Sequence, residues 1–321
     1  MPGERLRVVL IAEESAGVQA LEALRKAPES PEIVAAVTST GTAGSPPPLV
    51  AAAAARLDVA VRPDSELRSV SFACWLRDQE VDLLLNVHSL SVLDPDVIAA
   101  PAIGSFNLHP GPLPEYAGLN APSWAIFRGE RTHGVTLHWM DAGIDTGPIA
   151  YRSVFDLDDR DTGLSVMGKC VRHGVPLVLR LVGDASRDAS SIPALRQDLS
   201  GRRYFGREVP NGGNVAWSAP AREIVRFVRA ADYAPFNSPW GIPRARFDGR
   251  SVGIARASAT GEPADETPGS VGQERPRGSI SVAAGDEWIA VERMWRDGRY
   301  IRPQDVCSAG DRLQDGESSR G

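Results

Sequence analysis

Lysine is almost missing from this 321-residue chain, occurring only as Lys26 and Lys169. Basic residues number 35 against 41 acidic ones, a formal net charge of -6. The chain therefore lacks the excess of clustered positive charge that a large nucleic-acid footprint needs, although a local basic patch is compatible with that balance. Cysteine is scarce too. Cys74, Cys170 and Cys307 lie far apart and form no CxxC pair, which argues against a disulfide framework and against a zinc site. No apolar run approaches the roughly 20 residues of a membrane helix. The run Leu6–Ala12 is too short for the core of a secretion signal and leads straight into Glu13 and Glu14, so the expected compartment is the cytoplasm. Arg, Ala, Gly and Pro abound in place of lysine, which reads as compositional bias. A hydrophobic fraction of 42% and a charged fraction of 24% fit a soluble globular enzyme of two ordinary domains.

The first half alternates short β-branched runs with helical periodicity. Leu6–Ala12, Ile33–Thr38, Val59–Val61 and the continuous apolar run Val81–Val87 read as buried strands. Between them, a helix capped by Ser15 is expected to reach Lys26, with further helices over Leu49–Leu57 and Glu66–Gln79. Strands follow at Ser105–His109, Gly134–Trp139 and Ile149–Phe155, with a helical turn at Pro122–Phe127 and a long amphipathic helix over Thr162–Val182. Such alternation predicts an α/β fold: an open, Rossmann-like, mostly parallel sheet that binds ligands beyond its strand ends. A helix at Ala221–Arg229 and β-like runs at Arg244–Phe247, Ser251–Ala255, Gly278–Val282, Trp288–Met294 and Tyr300–Ile301 predict a small, OB-like β-barrel after it. The expected organisation is a catalytic domain over 1–190, a linker over 191–215, the barrel over 216–312 and a disordered tail over 313–321. The Gly-, Pro- and Glu-rich stretch Ser258–Arg277 reads as a mobile loop inside the barrel.

Three polar groups stand out. Asn107 and His109, in FNLHPGPLPEYAG, are two apart on a strand and share a face. Pro110, Pro112 and Pro114 force an irregular loop just after them, so that face lies at a strand end. Asp145 sits in DAGIDTGPI, in a loop bracketed by Gly143 and Gly147. An amide that donates to a developing oxyanion, an imidazole that exchanges protons and a carboxylate that orients it make up an acyl-transfer site. Spacing alone leaves a plain structural reading open, because Asn-x-His and Asp-Gly patterns also occur in ordinary turns. Of the other histidines, His138 reads as structural, and His133 and His173 as surface residues.

The segments FNLHPGPLPEYAGLNAPSWAIFRGE and THGVTLHWMDAGIDTGPI, with the helix that follows, resemble the folate-dependent formyltransferases. That family includes the methionyl-tRNA, glycinamide ribonucleotide and sugar N-formyltransferases and the formylation domains of peptide synthetases. The resemblance covers roughly residues 1–250. It implies that Asn107, His109 and Asp145 are catalytic and that 10-formyltetrahydrofolate is the co-substrate, with no metal. It implies a pterin pocket along His88, Ser89, Leu90, Ser91, Val92 and Leu93 and along Asp141, Ala142, Gly143 and Ile144. Glu13, Tyr116 and Gly118 are expected to meet the acceptor.

Departures from the family bear on which amine is formylated. The loop after the first strand reads AEESAGVQAL, where glycinamide ribonucleotide enzymes carry a Gly-rich phosphate cradle. Glu13 and Glu14 there would repel a phosphate. The basic insertion of the tRNA enzymes is replaced by TSTGTAGSPPPLVAAAA, with no Lys or Arg from Thr38 to Ala55. The expected acceptor is thus a small amine or a carrier-bound amino acid or amino sugar. Methionyl-tRNA is the second choice, and hydrolysis of formyl-folate or folate-binding regulation is a third. The six arginines Arg202, Arg203, Arg207, Arg222, Arg226 and Arg229 form a candidate surface patch. No membrane partner is expected, and oligomeric state leaves no mark in the sequence.

Overall fold

The computed structural model of the chain describes residues 5–41 and 46–316. Two compact units emerge: Met1–Gly118, His133–Phe155 and Gly168–Tyr204 form one, and Leu119–Thr132, Asp156–Met167 and Phe205–Gly321 the other.

The first unit is built on β1 (Arg7–Ala12), α1 (Glu14–Lys26), β2 (Glu32–Thr38), α2 (Leu49–Arg56), β3 (Val61–Pro63), α3 (Val70–Asp78), β4 (Leu83–Val87), α4 (Pro95–Ile98) and β5 (Gly104–His109). Next along the chain come β6 (Ala117–Gly118), α5 (Ala121–Arg128), β7 (Thr132–Trp139), β8 (Ile149–Asp156) and α6 (Gly163–Asp188). The sheet order is β3-β2-β1-β4-β5-β7-β8. Strands β1 to β5 pair in parallel, as expected, and β7 runs antiparallel to β5. Alternate residues of β1 serve opposite faces. Val9 and Ile11 join Phe72, Leu76 and Val97 from α3 and α4 in one apolar cluster. Ala12 faces α1 on the other side, where a Cβ on Gly17 would come within 2.6 Å of it. A side chain at Gly174 of α6 would likewise meet Leu108 of β5 at 2.7 Å, so both helices lie close against the sheet.

Several boundaries differ from expectation. Helix α1 begins at Glu14, with Glu13 extended before it, and Ser15 is no cap. Helix α3 starts at Val70 because Ser69 accepts from the Phe72 amide, and a 3-10 turn occupies Asp64–Arg68. Helix α6 continues to Asp188, since Ala185 extends the buried row of Val178 and Leu181 by one more turn.

The second unit holds α5, the helix α7 (Ala221–Ala230) and an antiparallel sheet. Strand β9 (Tyr204–Phe205) precedes α7, and the sheet strands are β10 (Arg244–Phe247), β11 (Arg250–Pro263), β12 (Val271–Arg275), β13 (Ser279–Ala283), β14 (Glu287–Arg296), β15 (Arg299–Ile301) and β16 (Gln314–Asp315). Their order is β12-β13-β14-β11-β10-β16, with β15 on β14. Trp217, Ile224 and Val228 pack with Val252, Ile254, Ile280, Ile289 and Val291 over one face of this barrel-like sheet. Helices α5 and α7 are clamped together by a bond from Ser123 Oγ to the Ala230 carbonyl and by the Phe127–Phe227 ring contact. The stretch expected to be a mobile loop, 258–277, is instead largely strand. Ser258 and Ala259 continue the β11–β14 ladder, and Val271 is buried under β13. Backbone pairing satisfies that segment whatever its polar side chains do. Gln314 and Asp315, assigned to the disordered tail, pair with β10, and the Asp315 carboxylate accepts from the Trp217 amide. Residues 317–321 of that tail lie outside the described residues.

Candidate active site

Strand register assembles the site. Asn86 of β4, Asn107 of β5 and His138 of β7 stand side by side across three neighbouring strands. His109 lies two residues beyond Asn107, on the same face. Asp145 arrives from the loop after β7, with a left-handed backbone at φ 57°. That loop is shaped from within and from without. The Asp141 carboxylate accepts from the Gly143 amide and the Thr146 hydroxyl. Gln197 Nε2 donates to the carbonyls of Asp145 and Gly147, at 3.0 and 2.7 Å. Gly147 is required for packing, because a Cβ there would lie 1.9 Å from the Trp139 carbonyl oxygen.

The Asp145 carboxylate is the hub. Its Oδ2 accepts from the Gly118 amide at 2.8 Å and lies 3.5 Å from His109 Nδ1. Its Oδ1 accepts from Asn107 Nδ2 at 3.3 Å and lies 3.5 Å from His138 Nε2. Burial pushes the carboxyl's pKa up, but the neighbouring His109 and His138 rings and the Gly118 amide outweigh it. Asp145 is thereby held well below the usual carboxylate range and stays ionised. Burial pulls His109 below its ordinary value, against the opposing influence of Asp145 and the Tyr116 carbonyl. His109 Nε2 donates to that carbonyl at 2.5 Å, which leaves Nδ1 as the ring's proton acceptor, facing Asp145. The geometry thus provides a neutral imidazole beside a fixed negative charge and next to an amide nitrogen.

The sequence-predicted residues divide. Asn107, His109 and Asp145 come together as expected. Leu90, Val92 and Ile144 are large apolar side chains left 81%, 55% and 50% exposed on the loops after β4 and β7. Exposed apolar groups of that size mark a surface that a ligand ring can cover. His88 is held in a left-handed conformation with Nε2 buried and unpartnered, and burial pushes its pKa down to about 4. Ser89 Oγ accepts from the Ser91 amide and shapes the loop. Leu93 does not line this surface; it turns inward to the cluster of Val9, Leu67 and Val97.

The expected acceptor contacts are engaged elsewhere. The Gly118 amide and the Tyr116 carbonyl hold Asp145 and His109, and the buried Tyr116 ring stands edge-on to His133. The Glu13 carboxylate accepts from Thr38 Oγ1, Ser39 N and Ser39 Oγ, tying the end of β2 to the start of α1. His133 is buried, not on the surface, with Nε2 on the Pro110 carbonyl, and His173 is half-buried beside Ser153. His138, expected to be structural, faces the site. Neither His138 nor Gln197 carried a sequence signal of its own. His138 could have been found from its register with Asn107, whereas Gln197 lies in a stretch without periodicity. Among the described residues no group of three or more His, Cys, Asp or Glu is arranged to hold a metal ion, and no helix is long and apolar enough to cross a membrane.

An open α/β sheet with an amide, an imidazole and a carboxylate converging at its strand ends defines a group-transfer enzyme. The chain belongs to the formyl transferase family: the formyl transferase model matches residues 6–180 and the formyl transferase C-terminal domain model residues 209–309. The methionyl-tRNA formyltransferase of Deinococcus radiodurans is 26% identical over 315 residues, 97% of this chain and 94% of that protein. That of Pseudomonas putida is 28% identical over 295 residues, 90% and 91% of the two chains. Among solved structures, an N-formyltransferase from Helicobacter canadensis in complex with folinic acid and dTDP-3-aminofucose superposes with a TM-score of 0.67 at 19% identity, over 89% of this chain and 98% of that one. HypX from Aquifex aeolicus in complex with tetrahydrofolic acid gives 0.66 at 17% identity, over 94% of this chain and 47% of that one. At such identities the structures speak for the fold alone.

Proposed function

We propose that this enzyme transfers the formyl group of 10-formyltetrahydrofolate to the primary amine of a small-molecule or carrier-bound amino acid or amino sugar. The observation that carries the transfer chemistry is the convergence of Asn107, His109 and Asp145 at hydrogen-bonding or ion-pair distance. The folate would lie over Leu90, Val92 and Ile144, whose exposed apolar surface suits a pterin ring.

In the reaction, the amine nitrogen attacks the formyl carbon and the carbonyl electron pair moves to oxygen. The Asn107 amide N–H nearer Asp145 turns to that oxygen. His109 Nδ1 takes the proton released by the attacking nitrogen, and the imidazolium so formed is stabilised by Asp145, 3.5 Å away. The bond from the formyl carbon to the folate nitrogen then breaks, His109 returns the proton to that nitrogen, and tetrahydrofolate and the formamide leave. The low proton affinity of Asp145 suits a charge that stays in place throughout.

The choice of a small or carrier-bound acceptor rests on charge. Residues 38–55 hold no Lys or Arg; residues 42–45 of that stretch lie outside the described residues. The candidate arginine patch is also partly spoken for. Arg202 donates to the Ile144 carbonyl and lies over Tyr204, Arg229 donates to the Asp161 carbonyl, and the Arg226 guanidinium packs against Gly129. Arg203, Arg207 and Arg222 stay exposed, and a patch halved in this way offers less of the phosphate neutralisation on which RNA affinity depends. Methionyl-tRNA is the second reading, favoured by the near full-length match to methionyl-tRNA formyltransferases. The deciding experiment supplies 10-formyltetrahydrofolate with nucleotide-linked amino sugars, carrier-bound amino acids or charged initiator tRNA. Formylation of the small or carrier-bound amines alone supports the proposal. Formylation of the tRNA overturns the acceptor assignment, and formate release without any amine overturns transfer.

A further inference from the structure

The pair formed by His138 and Asn107 carries a role that the three catalytic groups leave unassigned. His138 is buried in β7, directly across from Asn107 in the β5–β7 register. Its Nδ1 lies 2.7 Å from the Trp139 carbonyl, an acceptor only, so Nδ1 carries the proton. Its Nε2 lies 3.1 Å from Asn107 Nδ2 and 3.5 Å from Asp145 Oδ1. One arrangement satisfies the hydrogen bonds of both the ring and the amide. With Nε2 as a lone pair, the two N–H groups of Asn107 reach two acceptors, His138 Nε2 and Asp145 Oδ1. Were the amide reversed, its oxygen would face both the carboxylate and that lone pair. Were Nε2 protonated instead, it would meet the Asn107 N–H head on.

We infer that His138 is a positioning residue of formyl transfer: its Nε2 lone pair anchors one N–H of Asn107, so that the nitrogen end of the amide faces Asp145 and the second N–H, held on Asp145 Oδ1, is the one free to turn to the reacting carbonyl. The inference rests on Asn107 being catalytic. The anchoring runs through a ring locked by the backbone, because the bond to the Trp139 carbonyl fixes both the tautomer and the ring orientation. Without it Asp145 alone orients the amide, and the N–H needed by the tetrahedral oxygen is the one already held.

Two substitutions separate the ring's two nitrogens. His138→Asn keeps a donor near the Trp139 carbonyl and loses the acceptor for Asn107. His138→Gln keeps an acceptor near Asn107. We expect kcat to fall about tenfold in His138→Asn, the size of effect expected from one hydrogen bond, with KM for the formyl donor unchanged. His138→Gln recovers most of that loss. In an Asn107→Ala background, His138→Asn costs nothing further, because the group it orients is gone. A purely structural role predicts the same tenfold loss in both backgrounds, and that result overturns the inference, as does parent-level kcat in His138→Asn. Nitrogen NMR of the parent protein's histidine rings reads the tautomer without any substitution: a proton on Nδ1 of His138 supports the inference and a proton on Nε2 overturns it. Full activity of Asn107→Ala would overturn the role of Asn107 and this inference with it, whereas a loss in Asn107→Ala with none in His138→Asn overturns this inference alone.

Discussion

Replacing Asp145 by Asn tests the electrostatic centre of the site with almost no change of shape. Two consequences follow from the contacts. The first is the loss of a negative charge 3.5 Å from His109 Nδ1. At an effective dielectric of about 20 that charge stabilises an adjacent imidazolium by roughly 4–5 kcal/mol, and part of it is recovered as the site relaxes. At about 1.4 kcal/mol per decade, kcat should fall by roughly 10²–10³. The second is a hydrogen-bond conflict. The carboxylate accepts on both sides, from the Gly118 amide and from Asn107 Nδ2. An amide accepts on one side only, so one donor loses its partner, at a cost of about 1–3 kcal/mol of folding stability. The direction of the pH effect is also fixed. Asp145 raises the proton affinity of His109 while burial lowers it. Removing the charge leaves only the Tyr116 carbonyl opposing burial, so the acid limb of kcat/KM moves to lower pH. The assay is steady-state formylation across pH, beside a urea melt. Parent-level kcat in Asp145→Asn, or an acid limb displaced upward, would refute the reasoning.

Four further outcomes are expected. Asn107→Ala should lower kcat roughly a hundredfold while leaving the affinity for reduced folate, read by calorimetry, unchanged. Leu90→Asp should weaken folate binding at least tenfold without altering the melting temperature, because Leu90 is exposed; parent-level affinity would move the pterin off this surface. Gln197→Ala removes both bonds to the Asp145 loop, and hydrogen exchange should rise over residues 143–147 with kcat down about tenfold. Burial pushes the His133 pKa down to about 4, well below the ordinary imidazole value, so the folded state holds it neutral. Its contribution is present above pH 6.5 and lost as pH falls toward 4, roughly 3 kcal/mol over that window; urea melts of His133→Phe should show a shallower acid slope than the parent.

Most of the sheet was legible because its strands are buried on both faces and therefore read as unbroken apolar runs. Val81–Val87 is the clearest case, since no loop carries such a sequence. The elements misread were those whose stability is not written in side-chain periodicity. Strand β11 runs through a Gly-, Pro- and Glu-containing stretch because β14 supplies its hydrogen bonds, and its outward side chains carry no apolar signal. His133 looks like a surface residue at the exposed start of a strand, yet its ring is enclosed by Tyr116 and Phe155, neither of which is its neighbour in sequence.

The same distinction explains why the site was half visible. Asn107 and His109 announce themselves because a strand places residues two apart on one face, and that is a local rule. The partners that fix their orientation come from elsewhere in the chain. His138 is 31 residues from Asn107 and becomes its neighbour only because β7 returns antiparallel with that particular register. A slip of one residue would turn His138 to the opposite face. Tyr116 and Gly118 were read as substrate contacts from their place in the motif, and the structure gives both a backbone part as well: a carbonyl for His109 and an amide for Asp145. Such roles leave little trace in residue type, since any residue but proline offers both groups. A sequence motif therefore names the polar side chains of a candidate site more readily than the groups that set their tautomers and charges, and it is those groups that leave His109 Nδ1 unprotonated and facing Asp145.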